Sequence, residues 1–548
     1  MSRKKTIIAI AAAIILLTGV IALVALLTGG NNSEVQPGKE YGETGIDAGE
    51  PSGNGTEAAQ GQPGGSSGQN AVENSAVNFK SKELEMYVRD VIDRSEGEIT
   101  NISLNGLSEI EYKAGVLSIY RYGLLQDSRE MELDDFSDFG QFPDLDSLRI
   151  EDMPIDKNAL ESIAQLKNLA ELELANCRIS DINALCSMTN LKYLNLGQNQ
   201  ITDIGPLSGL TNMEALDLSN NRISDISPIS GLTNLRELVL EGNQVSDISA
   251  LGGLKKLNLL WLSSNQVKDI GPLSGLTNLA FLWIANNQVS DISPVSGLRN
   301  LENLWLENNL ISDVSRLSGL ENLEGLYLDG NQISDISALS GLTRLAHLYL
   351  ADNLISDISP LNGLTNLRDL NLKGNQISDI GVLSKLTRLS RLDLSGNPIS
   401  SLSPLSGLTN MESLVLNDNR ISDISPIKGL TSLISIEMKN NRISDISVIG
   451  GLPKLYVLHL EGNRISDISA LNKLEQMTYL YLSDNQISDI SPLGGMTSLL
   501  SLDLQNNKIR DISALSGLRY LEKLNLAGNP ISDYSPLDRL PNLKELSK

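Results

Sequence analysis

Residues 191–212 read LKYLNLGQNQITDIGPLSGLTN, and the chain repeats this pattern every 22 residues from Leu169 onward. Counting Leu191 as position 1, apolar residues occupy positions 1, 4, 6, 11, 14, 17 and 20, with Asn at position 9 and Asp at position 13. No insertion or deletion separates the 16 position-9 asparagines from Asn199 to Asn529. A repeat this regular predicts stacked coils of equal length.

Each unit contains the pattern of one short strand and one turn. Positions 3 to 7 alternate, so Leu194 and Leu196 are predicted to point inward and their neighbours outward, as in a β-strand. A single unit cannot bury its apolar residues, so neighbouring units are expected to stack and to form one parallel sheet. The aspartate at position 13 precedes a segment such as I-S-P-L, which predicts an N-cap and a short helical turn.

The asparagine at position 9 is predicted to be structural. Its side chain has two donor hydrogens and an acceptor oxygen on a short arm, so it can bond backbone groups of its own and the adjacent unit. Cys177 occupies this position one unit earlier and Cys186 is placed on the far side of the coil, so we expect two unbridged thiols. The predicted ladder includes Asn199, Asn221, Asn243, Asn265, Asn287, Asn309, Asn331 and Asn353.

The pattern L-x-x-L-x-L-x-x-N-x-I-x-D-I-x-P-L resembles the leucine-rich repeat over about residues 145–546. The 22-residue unit with S-D-I-S-P-L is most similar to internalin-type bacterial surface proteins and to phosphatase-regulating members of the same repeat class. The resemblance implies an α/β solenoid of horseshoe or sickle shape. It implies a parallel sheet on the concave face, short 3-10 or turn segments on the convex face, and a small helical N-terminal cap. The internalin likeness also implies that concave aromatic side chains contact a protein receptor.

The chain before the repeats changes composition twice. Residues 1–5 are basic, residues 6–28 are apolar and uncharged, and residues 29–78 are rich in Gly, Ser and Glu. This order predicts a cytoplasmic tail, a single transmembrane anchor and a disordered linker to an extracytoplasmic domain at the cell membrane. Signal cleavage and secretion is the alternative. Residues 79–144 are interpreted as an N-terminal cap with degenerate repeats, and residues 145–548 as about 18 repeats.

Composition excludes several classes of function. The 67 acidic against 43 basic residues argue against a nucleic-acid surface. The chain has two His, His347 and His459, five units apart, and we find no phosphate loop, nucleophile elbow or Cys/His zinc pattern. One aspartate per unit is not a calcium cage. We therefore predict a monomeric binding protein that is not an enzyme and uses no cofactor or metal.

Outward strand positions of successive units should align on the concave face, and position 5 carries all three tryptophans of the chain in consecutive units. At a strand spacing of about 4.8 Å, five successive rings would form a row about 20 Å long. An aromatic patch with a polar rim is typical of recognition sites. The predicted ligand-binding residues are Trp261, Trp283, Trp305, Tyr327, Tyr349, Phe281, His347, Glu307 and Asp329. A weaker candidate group is His459, Tyr479 and Tyr481.

Three functions are weighed for this surface. The leading hypothesis is a membrane-tethered, extracytoplasmic protein of the adhesion or receptor type that binds a protein partner on its concave face. The alternative is carbohydrate or cell-wall glycan binding, because a row of rings can stack on sugar faces. A cytoplasmic phosphatase-regulating scaffold fits the repeat class but conflicts with the apolar segment 6–28.

Overall fold

The computed structural model describes the chain from residue 76 onward. The described residues are 76–92, 99, 104, 107–113, 116–121, 124–130, 136–142 and 144–548. The predicted tail, anchor and nearly all of the predicted linker, residues 1–75, lie outside them. Within the described ranges, no helix is long and apolar enough to cross a membrane.

One sheet of 22 strands runs through this described part of the chain. The strands are β1 (Leu107–Lys113), β2 (Val116–Arg121), β3 (Leu124–Glu130), β4 (Ser147–Glu151), β5 (Glu171–Ala175), β6 (Tyr193–Asn195), β7 (Ala215–Asp217), β8 (Glu237–Val239), β9 (Leu259–Trp261), β10 (Phe281–Trp283), β11 (Asn303–Trp305), β12 (Gly325–Tyr327), β13 (His347–Tyr349), β14 (Asp369–Asn371), β15 (Arg391–Asp393), β16 (Ser413–Val415), β17 (Ser435–Glu437), β18 (Val457–His459), β19 (Tyr479–Tyr481), β20 (Ser501–Asp503), β21 (Lys523–Asn525) and β22 (Glu545–Ser547).

From β4 to β22 each strand pairs in parallel with the next one in the chain. The constant unit length keeps identical positions side by side, so that Trp283 pairs with Trp261 on one side and with Trp305 on the other. The predicted solenoid with a parallel sheet along its concave face is confirmed.

Short 3-10 turns form the opposite side of the repeats. They span Asn183–Ser187, Gly205–Gly209, Ser227–Gly231, Ser249–Gly253, Gly271–Gly275, Ser293–Gly297, Ser315–Leu317, Ser337–Gly341, Ser359–Gly363, Gly381–Lys385, Ser403–Leu405, Ser425–Gly429, Ser447–Gly451, Ser469–Lys473, Ser491–Gly495, Ser513–Gly517 and Ser535–Arg539. Between the sheet and these turns lies a continuous apolar core, in which leucines such as Leu304 and Leu326 are completely buried.

The position-13 aspartate was predicted to be the N-cap, but it lies one residue before the observed cap position. Ile226 occupies the cap position of its turn, and the carboxylate of Asp225 accepts the backbone N–H of Ser227 at 2.8 Å. The same bond recurs at all 16 aspartates of the series. A short side chain that bonds the N–H two residues later forms an Asx turn, which leads the chain into the 3-10 segment.

Each position-9 asparagine joins its own unit to the preceding one. The amide group of Asn331 donates to the carbonyls of Leu306 at 3.0 Å and Leu328 at 3.0 Å, and its oxygen accepts the N–H of Ile311 at 3.0 Å. The side chain is 8% exposed, so these backbone groups are satisfied away from water. Cys177 is buried and Cys186 is exposed, and both are free thiols.

The residue at position 8, which ends the strand segment, has a left-handed backbone. In every unit from Asn176 to Gly528 its φ lies between 52° and 72°. Glycine, asparagine and aspartate adopt this conformation at least cost, which explains why position 8 is almost always one of these three residues. We did not predict this left-handed conformation from the sequence, although the repeated Gly, Asn and Asp at position 8 indicate it.

The N-terminal end of the described chain combines a helix with antiparallel strands. Helix α1 (Lys82–Val91) is capped by Ser81 and buries Leu84, Tyr87 and Val88, while a second helix, α2 (Lys157–Ile163), follows β4. Strand β1 pairs in parallel with β4 and antiparallel with β2, which pairs antiparallel with β3. The β1–β3 segment is therefore not built from the degenerate repeat units that we expected there.

Candidate functional site

The concave face of β9 to β13 carries a column of stacked rings, which we call the aromatic row: Trp261, Trp283, Trp305, Tyr327 and Tyr349. Successive ring centroids are separated by 5.2, 4.2, 4.9 and 5.0 Å. The angles between successive ring planes are 24°, 13°, 5° and 22°. The parallel register thus brings the five predicted aromatic residues together face to face.

The rings are more buried than an exposed aromatic patch would be. Trp283 is only 5% exposed and Trp305 only 9%, because each indole has a ring against both of its faces. Trp261 and Tyr349, at the two ends, are half-buried. We did not predict this burial, because the alternation along a strand shows which side chains point outward but not how far those of adjacent strands cover one another. Trp283, Trp305 and Tyr327 have neighbouring rings against both of their faces.

Two further predicted residues lie beside the row. Phe281 stacks on Trp283, with 6.1 Å between centroids and 18° between planes. Nδ1 of His347 lies 2.6 Å from Oδ2 of Asp369 on the neighbouring strand, a hydrogen-bond distance. Asp369 is 5% exposed and Arg391 approaches its other oxygen at 3.3 Å. His347 is therefore held in a polar cluster at the β13–β15 end of the row.

Two carboxylates at position 7 follow the row on the side where the strands end. Glu307 is half-buried, and burial raises the pKa of its carboxyl to about 8, with a smaller contribution from the Asp329 charge. Burial also raises the pKa of Asp329 to about 7, although its Oδ1 accepts the N–H of Ala351 at 2.5 Å. The two acids therefore lie side by side in a partly dehydrated strip.

Several polar atoms around the row lack partners. Within the described part of the chain, Oε2 of Glu307, Oε2 of Glu237 and Nε1 of Trp261 are buried without a hydrogen bond. The pKa of Glu241 is raised to about 7, first by burial and then by the charge of Asp217. Buried polar groups in proteins are normally paired, so such atoms mark a surface that a ligand can complete. The sequence places Glu237 and Glu241 on the polar rim of the row, although neither was among the predicted ligand-binding residues.

The weaker candidate group divides in the structure. His459 is 3% exposed and stacks on Tyr481 with 4.2 Å between centroids, and its Nδ1 lies 3.0 Å from Oε1 of Glu461. Tyr479 instead meets Tyr456 edge to face at 5.7 Å. The described residues contain no group of three or more His, Cys, Asp or Glu side chains that could hold a metal ion.

A groove of about 650 Å³ runs along the opposite margin of the same units, where the strands begin. It is lined by Arg236, Lys256, Asn258, Asn278, Ala280, Asn300, Glu302, Asn322 and Arg344. Its cations are already engaged: Lys256 donates to the side-chain oxygen of Asn234 at 2.7 Å, and Arg344 pairs with Glu324 at 2.5 Å. The outward side chains where the strands end are thus acidic, whereas the groove at the other margin carries Glu302 as well as three cations.

A chain of strand–turn units stacked into one parallel sheet defines a solenoid repeat protein. Residues 409–465 and 517–533 match leucine-rich repeat families. The family described as "Leucine Rich repeats (2 copies)" matches residues 167–209, 211–253, 255–297, 277–319, 299–341, 321–363, 343–385, 365–407, 387–429 and 475–517. The chain belongs to the leucine-rich repeat family. A sequence search among curated proteins gives no match.

Solved structures with a similar fold come from plants and bacteria. The plant peptide hormone receptor RGFR1 in complex with RGF2 has a TM-score of 0.61 and 23% identity, over 76% of this chain and 77% of that one. The GASSHO1/SCHENGEN3 ectodomain from Arabidopsis thaliana, in complex with CASPARIAN STRIP INTEGRITY FACTOR 2, has a TM-score of 0.58 and 25% identity, over 75% of this chain and 56% of that one. InlJ from Listeria monocytogenes has a TM-score of 0.55 and 24% identity, over 63% and 75%.

Proposed function

We propose that this protein is a non-enzymatic binding protein that holds a protein or peptide partner against the aromatic row. The observation that carries the proposal is the column of five stacked rings on the concave sheet, with unpaired buried polar atoms beside it. Rigid aromatic side chains supply contact area without losing much conformational freedom on binding. Because the stacked rings already hold one another in place, these side chains lose little further conformational entropy when a partner binds.

The geometry favours a protein partner over a glycan. Sugar recognition by aromatic residues needs a free ring face, but Trp283, Trp305 and Tyr327 each have both faces covered by neighbouring rings. Only Trp261 and Tyr349, at the ends of the row, have a face that no ring of the row covers, and two such faces are too few for a sugar chain to stack along the row. Ring edges beside hydrogen-bonding groups suit the mixed apolar and polar surface of a polypeptide.

The leucine-rich repeat ectodomain that is 25% identical to this chain was solved with a bound partner, CASPARIAN STRIP INTEGRITY FACTOR 2. That complex supports a polypeptide ligand for the present chain without naming one. We further propose that the protein is an internalin-like bacterial surface protein. The proposal rests on the 22-residue unit with S-D-I-S-P-L.

The test is a selection of random peptides displayed on phage against the immobilised full chain. Each selected peptide is then measured against the double variant Trp283→Ala/Trp305→Ala and against Tyr193→Ala, which removes an outward aromatic residue of β6 away from the row. We expect peptides whose affinity falls at least about tenfold in the double variant and is unchanged in the control. If no selected peptide depends on the row, the proposal is wrong. A glycan array run in parallel would favour the sugar hypothesis if glycan binding alone were lost in the double variant.

We also propose that residues 6–28 anchor the protein in the cell membrane, with the repeats on the extracytoplasmic side. The support is the uncharged apolar run after a basic flank. Mass spectrometry of the mature N-terminus together with cell fractionation tests this topology. An intact N-terminus in the membrane fraction is expected. Cleavage after the apolar run would indicate secretion, and an intact chain in the cytoplasmic fraction would favour the phosphatase-regulator hypothesis.

A further inference from the structure

We propose that the partner segment is basic, and that a Lys or Arg side chain of the partner pairs with the carboxylates of Glu307 and Asp329 while its chain lies on the aromatic row. This inference rests on the proposed function and deepens it by naming the chemistry of the partner. It is carried by the charge distribution of the concave face, the unpaired oxygen of Glu307 and the engagement of the cations on the opposite margin.

The ionisable outward side chains around the row are mainly acidic. In the six units that span residues 235–366, positions 3, 5 and 7 contain four acidic residues, one histidine and no Lys or Arg. The histidine, His347, is within hydrogen-bond distance of Asp369. The four acids are Glu237, Glu241, Glu307 and Asp329. Farther along the sheet the same positions are mixed, with Lys373, Arg391 and Lys439 among them. The outward acids of this part of the sheet therefore lie beside the aromatic row, and burial raises the pKa of Asp329 although the nearby charge of Lys373 lowers it.

Glu307 has a buried carboxyl oxygen without a hydrogen-bond partner in the described chain. It is two residues beyond Trp305 in a segment that still pairs with the neighbouring units, because Leu306 donates to the carbonyl of Tyr327 and Asn286 donates to that of Glu307. Its Oε2 is buried and makes no hydrogen bond within the described chain. Without a partner of opposite charge a buried carboxyl group tends to keep its proton, in agreement with the raised pKa of Glu307. An ammonium or guanidinium group arriving beside the row would supply that partner.

Asp329 adds a second carboxylate to the same strip. One of its oxygens accepts the N–H of Ala351, while the carboxylate adds to the negative potential at Glu307. Two adjacent acids suit a guanidinium or ammonium group, which can donate several hydrogen bonds at once. The apolar stem of either side chain can pack along the edges of the aromatic row.

The cationic side chains on the opposite margin already have hydrogen-bond or ion-pair partners within the chain. Arg236 and Arg344 face the acids Glu214 and Glu324. Lys256 donates to the neutral side-chain oxygen of Asn234, so two of the three groove cations have an acidic partner within the chain. A basic partner would meet a buried carboxyl oxygen of Glu307 that has no hydrogen bond, whereas both groove arginines already face an acid of the chain. Charge complementarity therefore favours a basic segment on the acidic side of the row.

The experiment compares the full wild-type chain with Glu307→Gln/Asp329→Asn, which keeps side-chain size and removes both charges. Glu321→Gln is the matched control, because Glu321 is an exposed acid of the same unit outside the strand segment. The probes are the phage-selected peptides whose binding depends on Trp283 and Trp305, measured as synthetic peptides with Lys and Arg retained or replaced by Ala. Circular dichroism of each variant verifies that the fold is kept.

We expect the row-dependent peptides to be enriched in Lys and Arg, and to bind about tenfold or more weakly to Glu307→Gln/Asp329→Asn than to wild type or Glu321→Gln. Replacing the basic residues of the peptide should cause a similar loss, and the two losses should not add. Row-dependent peptides that are neutral or acidic, or that bind the double variant normally, would overturn this inference and leave the proposed function standing. If no peptide depends on the row, both this inference and the proposed function are wrong.

Discussion

A single asparagine per unit connects the turns of the solenoid through backbone groups. Its side chain reaches the carbonyl oxygens of its own and the preceding unit, and its oxygen accepts an N–H of the preceding unit. No regular backbone ladder could satisfy those groups, because the chain bends there from strand to turn. The role could be predicted from sequence because an amide donates and accepts on one short arm.

Replacing Asn331 by Ala should lower the free energy of unfolding by about 1–3 kcal/mol, because buried backbone groups of two units lose their partners. Asn410 is the matched control, since it is exposed and bonds one carbonyl, that of Thr387, at 2.9 Å. Asn410→Ala should stay within about 0.5 kcal/mol of wild type. Urea unfolding followed by circular dichroism measures both variants. Equal losses would contradict the structural role of the ladder.

Glu307 should make the stability of the protein depend on pH. Its pKa is about 8 in the folded chain, against about 4.3 in an unfolded chain. The folded state therefore binds the proton more tightly. The contribution to stability is complete below pH 4 and is lost as pH rises towards 8. Glu307→Gln should lose less unfolding free energy than wild type between pH 5 and pH 8.5. Equal losses in urea titrations at the two pH values would contradict the raised pKa.

The positions of the rings were predictable, but their burial was not. A constant 22-residue period determines that Trp261, Trp283 and Trp305 lie on adjacent strands. Whether stacked indoles shield one another depends on side-chain rotamers, which the period does not determine. The unpaired oxygen of Glu307 was unpredictable for the same reason, because it depends on every neighbour of that side chain.

At the scale of the repeated element, the turn after each strand depends on a left-handed residue. Gly374 has a φ of 66°, and a Cβ added there would collide with the side chain of Asp352 in the preceding unit. Units without glycine use mainly asparagine or aspartate, such as Asn308 and Asp418. The side chains at this position therefore stand close together between neighbouring turns.

Gly374→Ala should destabilise the protein by about 1–2 kcal/mol through the left-handed backbone alone, and by more if the Asp352 side chain cannot move. Gly231→Ala is the control, because nothing lies within 4 Å of an added Cβ and φ is not positive there. That variant should be neutral or up to about 1 kcal/mol more stable. Thermal and urea unfolding of the two variants distinguish these outcomes, and a harmless Gly374→Ala would contradict the turn geometry.

Strand and turn placement followed from the period, whereas the start of the sheet did not. Strands β1, β2 and β3 lie outside the 22-residue pattern and are separated by two residues each, a spacing typical of β-hairpins. Their alternation could have indicated antiparallel strands, but we extended the repeat interpretation over them. The position-13 aspartate was assigned to the correct turn and misplaced by one residue, because an Asx turn and an N-cap use the same side chain.

At the scale of the whole molecule, stacking makes the units interchangeable outside the site. Each one contacts its two neighbours through the same strand pairs and the same asparagine bonds. Stability is then a sum over units and their interfaces. The aromatic row occupies five adjacent strands, β9 to β13, so distant units can change without moving it.

Deleting residues 411–432, one complete unit, should therefore preserve the fold and the binding of row-dependent peptides. Deleting residues 411–421 places strand positions against turn positions, and this half-unit variant should lose much of its thermal stability. Circular dichroism, thermal unfolding and peptide affinity are the measurements. A whole-unit deletion as damaging as the half-unit deletion would contradict the additive stacking of units.

Nuclear magnetic resonance of the indole N–H groups shows whether a partner contacts the aromatic row. The chain has three tryptophans and all lie in the row, so ¹⁵N-tryptophan labelling gives one signal for each of Trp261, Trp283 and Trp305. On addition of a row-dependent peptide, we predict that all three signals shift and saturate with a single dissociation constant. Saturated binding that leaves all three indole signals in place would contradict the account.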